Sequence, residues 1–118
     1  TVPLMPPKVM RVQLPKIGSA ALNAQAILGE NTTVVSAFQN ISAELLQTDA
    51  DIDCDVLVAG DLIDARNTVI ELAADAGLTG WHAGPLCNSV AAEALTSILI
   101  AINKKHSLAH SGIKITGH

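Results

Sequence analysis

Two turns carry the side chains best placed to do chemistry. The first, residues 82–89, sets Gly84 and Pro85 between an apolar, strand-like segment and a long helical one. Such a turn leaves the backbone N–H groups at the helix start free to bind a ligand. The second, residues 38–42, places polar side chains directly after an apolar run. Together the two turns predict a binding crevice, but they do not name its ligand.

Other kinds of chemistry have weaker support in the sequence. Four aspartates alternate along one segment that lacks the glycine and the further ligands of a calcium loop. They are Asp49, Asp51, Asp53 and Asp55, and we expect a solvated acidic loop there. His106 and His110 have zinc-ligand spacing without a glutamate between them, so a polar tail ending at His118 is favoured. No nucleophile has a base beside it in sequence, and no glycine-rich phosphate loop is present.

The composition favours a small α/β domain. The chain has 118 residues, 49% of them apolar, and Phe38 and Trp81 are its only aromatic residues. Ala, Val, Leu and Ile must therefore build the core, which favours packing of helices on a sheet. A net charge of −4 without a basic block argues against nucleic-acid binding.

The cysteines and the apolar runs bear on where the protein works. Cys54 and Cys87 are too far apart in sequence for a metal motif. With no secretory signal visible, we expect both thiols to be reduced and buried, in a cytoplasmic protein. No run of about 18 apolar residues is visible, so no membrane span is expected.

Apolar periodicity predicts strands that alternate with helices. The expected strands cover residues 1–4, 34–38, 55–59, 80–83 and 113–116. The expected helices cover residues 19–28, 42–47, 61–76 and 88–105, with Ser19, Ser42, Asp61 and either Asn88 or Ser89 as N-caps. This alternation predicts an α/β fold. No linker or repeat divides the chain, so we expect residues 1–118 to form one domain or part of one.

The two longest predicted helices each have an apolar stripe at three- and four-residue steps. In the helix at 61–76, the stripe consists of Leu62, Ala65, Val69, Leu72, Ala73 and Ala76. In the last helix, it consists of Ala92, Leu95, Ile98, Leu99 and Ile102. We expect both stripes to face the core.

Three segments in order, residues 34–43, 54–61 and 83–89, resemble the later half of the NADPH-dependent coenzyme F420 reductases. The ending at residues 112–115 resembles the C-terminus of that family. The resemblance covers nearly the whole chain and implies a C-terminal portion, with a partial Rossmann-like sheet, flanking helices and a long C-terminal helix. Family members begin with a half whose glycine-rich loop holds NADP. This chain would start at the last strand of that half and would be inactive alone.

The resemblance also implies a chemistry and a set of site residues. In the family, a hydride passes between the deazaflavin of coenzyme F420 and the nicotinamide of NADP, a step that needs no protein acid or base. By position, the deazaflavin would lie against Gln39, Asn40, Ile41, Ser42 and Ala43, near Leu86, Asn88 and Ser89. Ser111 and Gly112 would close the site, and Pro3 and Leu4 would border the nicotinamide.

The same resemblance suggests partners, and two other functions stay open. The apolar helix at 89–105 is a candidate dimer face, because half a domain leaves apolar surface uncovered. The partner would be a second copy or a chain that supplies the N-terminal half. The alternatives are a dimerisation module that binds no cofactor, and a fragment of a related imino-acid reductase, which would bind a cyclic imine or proline.

Overall fold

The computed structural model describes residues 2–117, in which helices and strands alternate along the chain. The strands are β1 (Val35–Ser36), β2 (Asp55–Gly60) and β3 (Thr79–His82). The helices are α1 (Ala20–Leu28), α2 (Ala43–Leu46), α3 (Ile63–Asp75) and α4 (Ser89–His106), and a 3₁₀ turn covers Leu86–Asn88. The predicted α/β class is confirmed.

β2 is the centre of the sheet. β1 pairs with it antiparallel, with Val35 opposite Gly60, and β3 pairs with it parallel, with Val58 opposite His82. Because parallel neighbours need a crossover, α3 connects β2 to β3 and completes a βαβ unit. This unit makes the sheet a partial Rossmann-like one, with α4 as the long C-terminal helix.

Small and branched side chains fill the core, as the composition requires. Val56 and Val58 of β2 are 1% and 0% exposed, and Ala73 of α3 packs against them. Gly80 of β3 allows α3 to come close, because a Cβ there would lie only 3.1 Å from Ile70 Cγ1. Helix and sheet therefore meet without a large aromatic side chain between them.

The predicted cap of α3 is wrong. Leu62, not Asp61, holds the N-cap position, and no side chain caps the helix. Asp61 Oδ1 instead accepts a hydrogen bond from the Leu86 amide at 3.0 Å. The Asp61 side chain therefore connects the end of β2 to the turn before α4. Local sequence does not reveal this partner, because Leu86 lies far from Asp61 along the chain.

Both terminal strands are also corrected. Residues 2–4 form no strand, and the Leu4 amide donates back to Val2 at 2.9 Å, while Thr1 lies outside the described residues. Residues 113–116 form no strand, although the Asp55 amide donates to the Ile113 carbonyl at 2.8 Å. The strand expected at 34–38 shortens to β1, since Phe38 takes a left-handed backbone conformation with φ 68°.

Neither predicted apolar stripe is fully buried. In α3, Ala73 is buried but Leu62 and Leu72 are each 56% exposed, and Ile70 is the side chain that packs against the core beside Val69. In α4, Ala92 and Leu99 are buried, whereas Ile98 and Ile102 are exposed. Each helix therefore meets the sheet along a narrower face than its apolar positions predict.

The start of α1 is fastened by two side chains. Ser19 is its N-cap, as predicted, and its hydroxyl accepts from the Leu22 amide at 3.1 Å. Glu93 of α4 is 1% exposed, and its carboxylate accepts from the Ala20 amide at 2.6 Å and from the Ala21 amide at 3.4 Å. The free N–H groups and the dipole of the first helical turn stabilise this buried negative charge.

Glu93 also joins α4 to the sheet through two serines. The Ser89 hydroxyl donates to Glu93 Oε2 at 2.5 Å, and the Ser36 hydroxyl lies 2.5 Å from that of Ser89. Since Ser89 has a single proton and gives it to Glu93, Ser36 is the donor to Ser89. One buried hydrogen-bonded chain therefore connects β1, α4 and α1.

By length and composition alone, the segment Leu86–His106 is apolar enough to cross a membrane. Helices in the core of globular proteins meet the same criterion. Here the segment carries the buried Glu93, and its N-terminal half hydrogen-bonds to α1 and β1.

We expect Glu93→Gln to lower the free energy of unfolding by about 2 kcal/mol, because the amide keeps one acceptor but turns an NH₂ group toward a donor. Glu71→Gln, on the exposed side of α3, is the matched control and should change stability by no more than about 0.5 kcal/mol. Urea unfolding followed by circular dichroism measures both variants. An unchanged midpoint for Glu93→Gln would contradict the anchoring role of the carboxylate.

Candidate functional site

A cleft of about 320 Å³ opens between the turn after β1, the middle of α4 and the C-terminal tail, residues 107–117. Six of the twelve residues predicted to bind cofactor line this cleft. They are Gln39, Asn40, Ile41, Ser42 and Ala43 on the side of the turn, and Ser111 on the side of the tail. This grouping makes the cleft the candidate site.

The turn after β1 is held in place by α4. The side-chain Nδ2 of Asn40 donates to the Ala92 carbonyl at 2.8 Å, and the Thr96 hydroxyl donates to the Gln39 carbonyl at 2.8 Å. The Ile41 amide closes the turn by donating to the Phe38 carbonyl at 3.2 Å. The backbone from 38 to 41 is therefore fixed on one face of the helix. Ser42 follows at the N-cap position of α2 and makes no capping bond there.

The tail closes the opposite side of the cleft. Ser107 ends α4 in the left-handed conformation with φ 55°, which turns the chain back toward the sheet. The Ser111 hydroxyl then donates to the Leu99 carbonyl at 3.4 Å, and the Ile115 amide donates to Asp55 Oδ2 at 2.8 Å. Lys114 pairs with Asp53 outside the cleft, and this hydrogen bond raises the pKa of Lys114.

Gly112 and Cys54 meet where the tail crosses the start of β2. Cys54 Sγ accepts from the Ile113 amide at 3.4 Å. Burial raises the pKa of the Cys54 thiol; the Ile113 hydrogen bond offsets part of this effect, and the Asp55 and Asp53 charges add to it. The buried Cys54 side chain is therefore a packing group between the tail and the sheet.

The lining of the cleft combines apolar surface with polar groups and carries little charge. Glu44 and His110 stand at its mouth, with 3.8 Å between Glu44 Oε2 and His110 Nε2. Their side chains are 86% and 32% exposed, so the pair is solvated and weak. Among the described residues, no Lys or Arg lines the cleft. It is suited to binding and orienting a neutral group.

Two buried amide oxygens in this lining have no hydrogen-bond donor among residues 2–117. They are Oε1 of Gln39 and Oδ1 of Asn103. An unpaired buried acceptor costs about 1–3 kcal/mol of desolvation free energy. Unpaired groups of this kind are rare in folded proteins and call for a specific explanation.

The second predicted turn lies at the other end of β2. The Gly60 amide, at the end of the strand, donates to the Gly84 carbonyl at 3.0 Å, whereas Asn40 lies beside Cys54, just before the strand begins. The structure therefore separates the two turns that the sequence places in one crevice. The first two turns of α4 connect them.

The remaining predicted residues have other surroundings in the structure. Leu86 is 1% exposed and Ser89 is fully buried, so both pack inside the domain. The side-chain Nδ2 of Asn88 donates to the Ala83 carbonyl at 2.7 Å. Pro3 and Leu4 belong to the irregular segment before α1, and Leu4 is 37% exposed.

Two expectations about acidic residues and thiols need correction. Asp49, Asp51 and Asp53 are exposed as predicted, but Asp55 is a buried residue of β2 that accepts from the Trp81 indole at 3.0 Å. In the part of the chain that is described, no three metal-ligating side chains come together. Both cysteines are free, but Cys87 is exposed, because it lies on the outer side of the 3₁₀ turn.

Of the seven cleft residues that sequence reasoning did not name as site residues, two are polar residues of α4, Thr96 and Asn103. They lie seven residues apart on α4, with Leu99 and Ile100 between them, and all four line the cleft. The available signal was a pair of polar residues at helical spacing on an otherwise apolar helix. That signal alone does not distinguish a site from ordinary helix polarity.

We expect Gly112→Ala to push the tail away from β2, because a Cβ there would lie 2.5 Å from Cys54 Sγ and 2.9 Å from Cys54 Cβ. The predicted loss of stability is about 1–3 kcal/mol. The loss should be smaller in a Cys54→Ala background, which removes the nearer contact. Urea unfolding of the two single variants and the double variant measures this, with Thr116→Ala as the exposed control. Equal losses in both backgrounds would rule out the close contact as the cause.

The chain has relatives among characterised oxidoreductases, although no family model matches it. Over 111 residues, or 92% of its length, it is 40% identical to an F420-dependent NADP reductase of Methanocaldococcus jannaschii and covers 49% of that protein. Over 102 residues, or 84% of its length, it is 41% identical to the F420-dependent NADP reductase of Methanothermobacter thermautotrophicus, and it covers 44% of that protein. The corresponding protein of Methanothermobacter marburgensis is 40% identical and is covered to 46%.

These matches confirm the resemblance that the three ordered segments indicated. The chain spans about half the length of the curated relatives it matches. Over most of its length, the chain is therefore similar to about half of an F420-dependent NADP reductase.

Proposed function

We propose that this chain forms the deazaflavin-binding part of an oxidoreductase that transfers a hydride between reduced coenzyme F420 and NADP. Similarity to three F420-dependent NADP reductases supports the reaction. The observation that carries the assignment of the deazaflavin to this chain is the cleft where residues 39–43 meet Ser111.

The chemistry of the cleft fits a flat ring system with polar edges. Ile41, Leu99 and Ile100 supply apolar surface, and the amides of Gln39 and Asn103 supply polar groups. Its volume of about 320 Å³ lies at the lower end of the range for ligand pockets, roughly 300–1,000 Å³. This space suits the ring and leaves the rest of the cofactor outside.

Hydride transfer between two carrier rings requires mainly that the rings touch in a dry, fixed geometry. The cofactors supply the reacting atoms, and the residues of this chain bind and orient. Thr96 and Asn40 fix the turn against which the ring would rest, and the tail excludes water from the opposite side. A site without a paired nucleophile and base is compatible with this task.

We infer that residues outside this chain hold most of NADP. The sequence contains no glycine-rich phosphate loop, and the chain corresponds to about half of its relatives. Pro3 and Leu4 stay candidates for the nicotinamide side, because they lie in an irregular and partly exposed segment. A longer form of this protein, a second copy or another chain would supply the NADP-binding half.

The other proposed site residues would act through positioning. Leu86, Asn88 and Ser89 set where α4 begins, by burial and by hydrogen bonds to Ala83 and Glu93. Gly112 lets the tail pass close to Cys54. The first three residues therefore position the start of α4, and Gly112 positions the tail that closes the cleft.

We further propose that α4 contributes to a homodimer interface. Ile98 and Ile102, one helical turn apart, are 45% and 37% exposed. Exposed apolar side chains in a contiguous stripe mark interaction surfaces. The opposite face of α4 is already occupied by α1 and by the turn after β1.

A cytoplasmic protein without nucleic-acid or membrane partners fits the remaining properties. The net charge is −4, and both cysteines are free thiols. In α4, the buried Glu93 is engaged by the amides of α1 within the same domain.

We expect the purified chain to bind oxidised deazaflavin, with a change in the absorbance and fluorescence of the ring. Ala43→Trp should weaken binding by at least about tenfold, because the indole fills the cleft. Ala74→Trp, on the exposed side of α3, is the control and should bind as the wild type does. A wild-type chain without any response would favour the dimerisation module, and binding of proline instead would favour the imino-acid reductase fragment.

We expect Ile98→Lys to shift the chain from dimer to monomer, because it places a charge in the proposed interface. Leu72→Lys, at the 56% exposed position on α3, is the matched control and should leave the dimer intact. Sedimentation velocity across a range of concentrations measures both variants. A dimer of undiminished stability with lysine at position 98 would exclude this face.

A further inference from the structure

We propose that Asn103 reads a hydrogen-bond donor on the ring bound in the cleft, through its side-chain oxygen and together with the side-chain oxygen of Gln39. The proposal rests on the proposed function and adds a specificity-determining residue to it. Neither the motifs of the sequence nor the family resemblance singles out Asn103.

The carrying observation is where the unpaired polar atoms lie. In the described residues 2–117, three buried side-chain N or O atoms have no hydrogen-bond partner: Gln39 Oε1, Asn103 Oδ1 and Arg66 Nε. Two of the three belong to residues that line the same cleft, and both are acceptors. Two unpaired acceptors in one cleft indicate a ligand that brings donors.

Three other polar side chains of the lining already have partners. The Asn40 amide donates to Ala92, and the Thr96 hydroxyl donates to Gln39. The Ser111 hydroxyl donates to the Leu99 carbonyl. These bonds build the walls of the cleft, whereas the side-chain oxygens of Gln39 and Asn103 are buried there without a partner.

The position of Asn103 is fixed by its backbone and not by its side chain. Its carbonyl accepts from the amides of Ser107 and Leu108, which ends α4. Thr96 lies seven residues earlier, two helical turns away on the same face, and contacts the residue that carries the other unpaired oxygen. Asn103 is therefore held facing the turn at Gln39, while its side-chain oxygen is free to accept.

The charged residues around the cleft indicate which kind of donor group it can bind. Among the described residues, no Lys or Arg lines the cleft, and Glu44 is its only carboxylate, at the mouth. An anionic group meets no Lys or Arg here, whereas a neutral ring N–H or O–H meets two acceptors. Both oxygens are shielded in the free chain, so a rotation about the last side-chain bond, which is soft in Asn and Gln, brings them to the ligand.

The test distinguishes ligand recognition from a structural role by measuring both stability and affinity, which recognition alone would move in opposite directions. Asn103→Leu keeps the approximate shape and removes the unpaired acceptor, so the urea midpoint should hold or rise while the affinity for oxidised deazaflavin falls about tenfold. Asn103→Asp retains an acceptor and should keep most of the affinity. Asn67→Leu, exposed on α3, is the control for both measurements.

Ring analogues identify the donor. Two analogues are compared, one methylated at the ring nitrogen and one at the ring hydroxyl. We expect one of the two to bind the wild-type chain more weakly than the unmodified ring does. Asn103→Leu should bind that same analogue as well as it binds the unmodified ring. The proposal is overturned if Asn103→Leu binds as the wild type does, if it loses stability along with affinity, or if Asn103→Asp binds as weakly as Asn103→Leu. A wild-type chain that binds no deazaflavin would overturn the proposed function itself.

Discussion

The polar side chains of one apolar helix decide how this domain is assembled. α4 carries Ser89, Glu93, Thr96 and Asn103 toward the interior, where each polar group must find a partner or leave an unpaired atom. Glu93 hydrogen-bonds to the start of α1, Ser89 to β1, and Thr96 to the turn after β1. Asn103 alone in this series keeps an unpaired side-chain oxygen, and it does so where the cleft lies.

The order of these contacts along α4 explains the shape of the site. The helix begins near the end of β2 and extends past its start, so successive turns meet different parts of the chain. The tail then folds back after Ser107 and is fastened at Cys54 and Asp55. The cleft is the space left between a fixed turn and a fixed tail, which gives it a defined width without any metal or catalytic cluster among the described residues.

Local signals predicted the elements better than the contacts between them. Ser19 and the apolar run of β2 fixed the positions of a helix and a strand, because capping and apolar runs act over a few residues. Asp61 was misread because its partner, Leu86, is 25 residues away. The tail was misread because the Ile113 and Ile115 amides donate to the side chains of Cys54 and Asp55.

The same distinction holds for the site. The family resemblance placed residues 39–43 and Ser111 together before any geometry was known, and the structure gathers them around one cleft. It did not indicate Thr96 or Asn103, whose contribution depends on which face of α4 meets the turn. Long-range hydrogen bonds decide which face of α4 meets the turn, and apolar periodicity does not reveal them. Ile98 and Ile102 fit the apolar stripe as well as the buried positions do, yet both are exposed.

The central claim is that this chain provides one wall of a deazaflavin site between the turn after β1, α4 and the tail. A crystal structure of the chain soaked with oxidised deazaflavin tests it most directly. The account predicts ring density between Ile41 and Leu99, with polar edges within hydrogen-bond distance of Gln39 and Asn103. Ring density elsewhere on the chain, with this cleft empty, would contradict it.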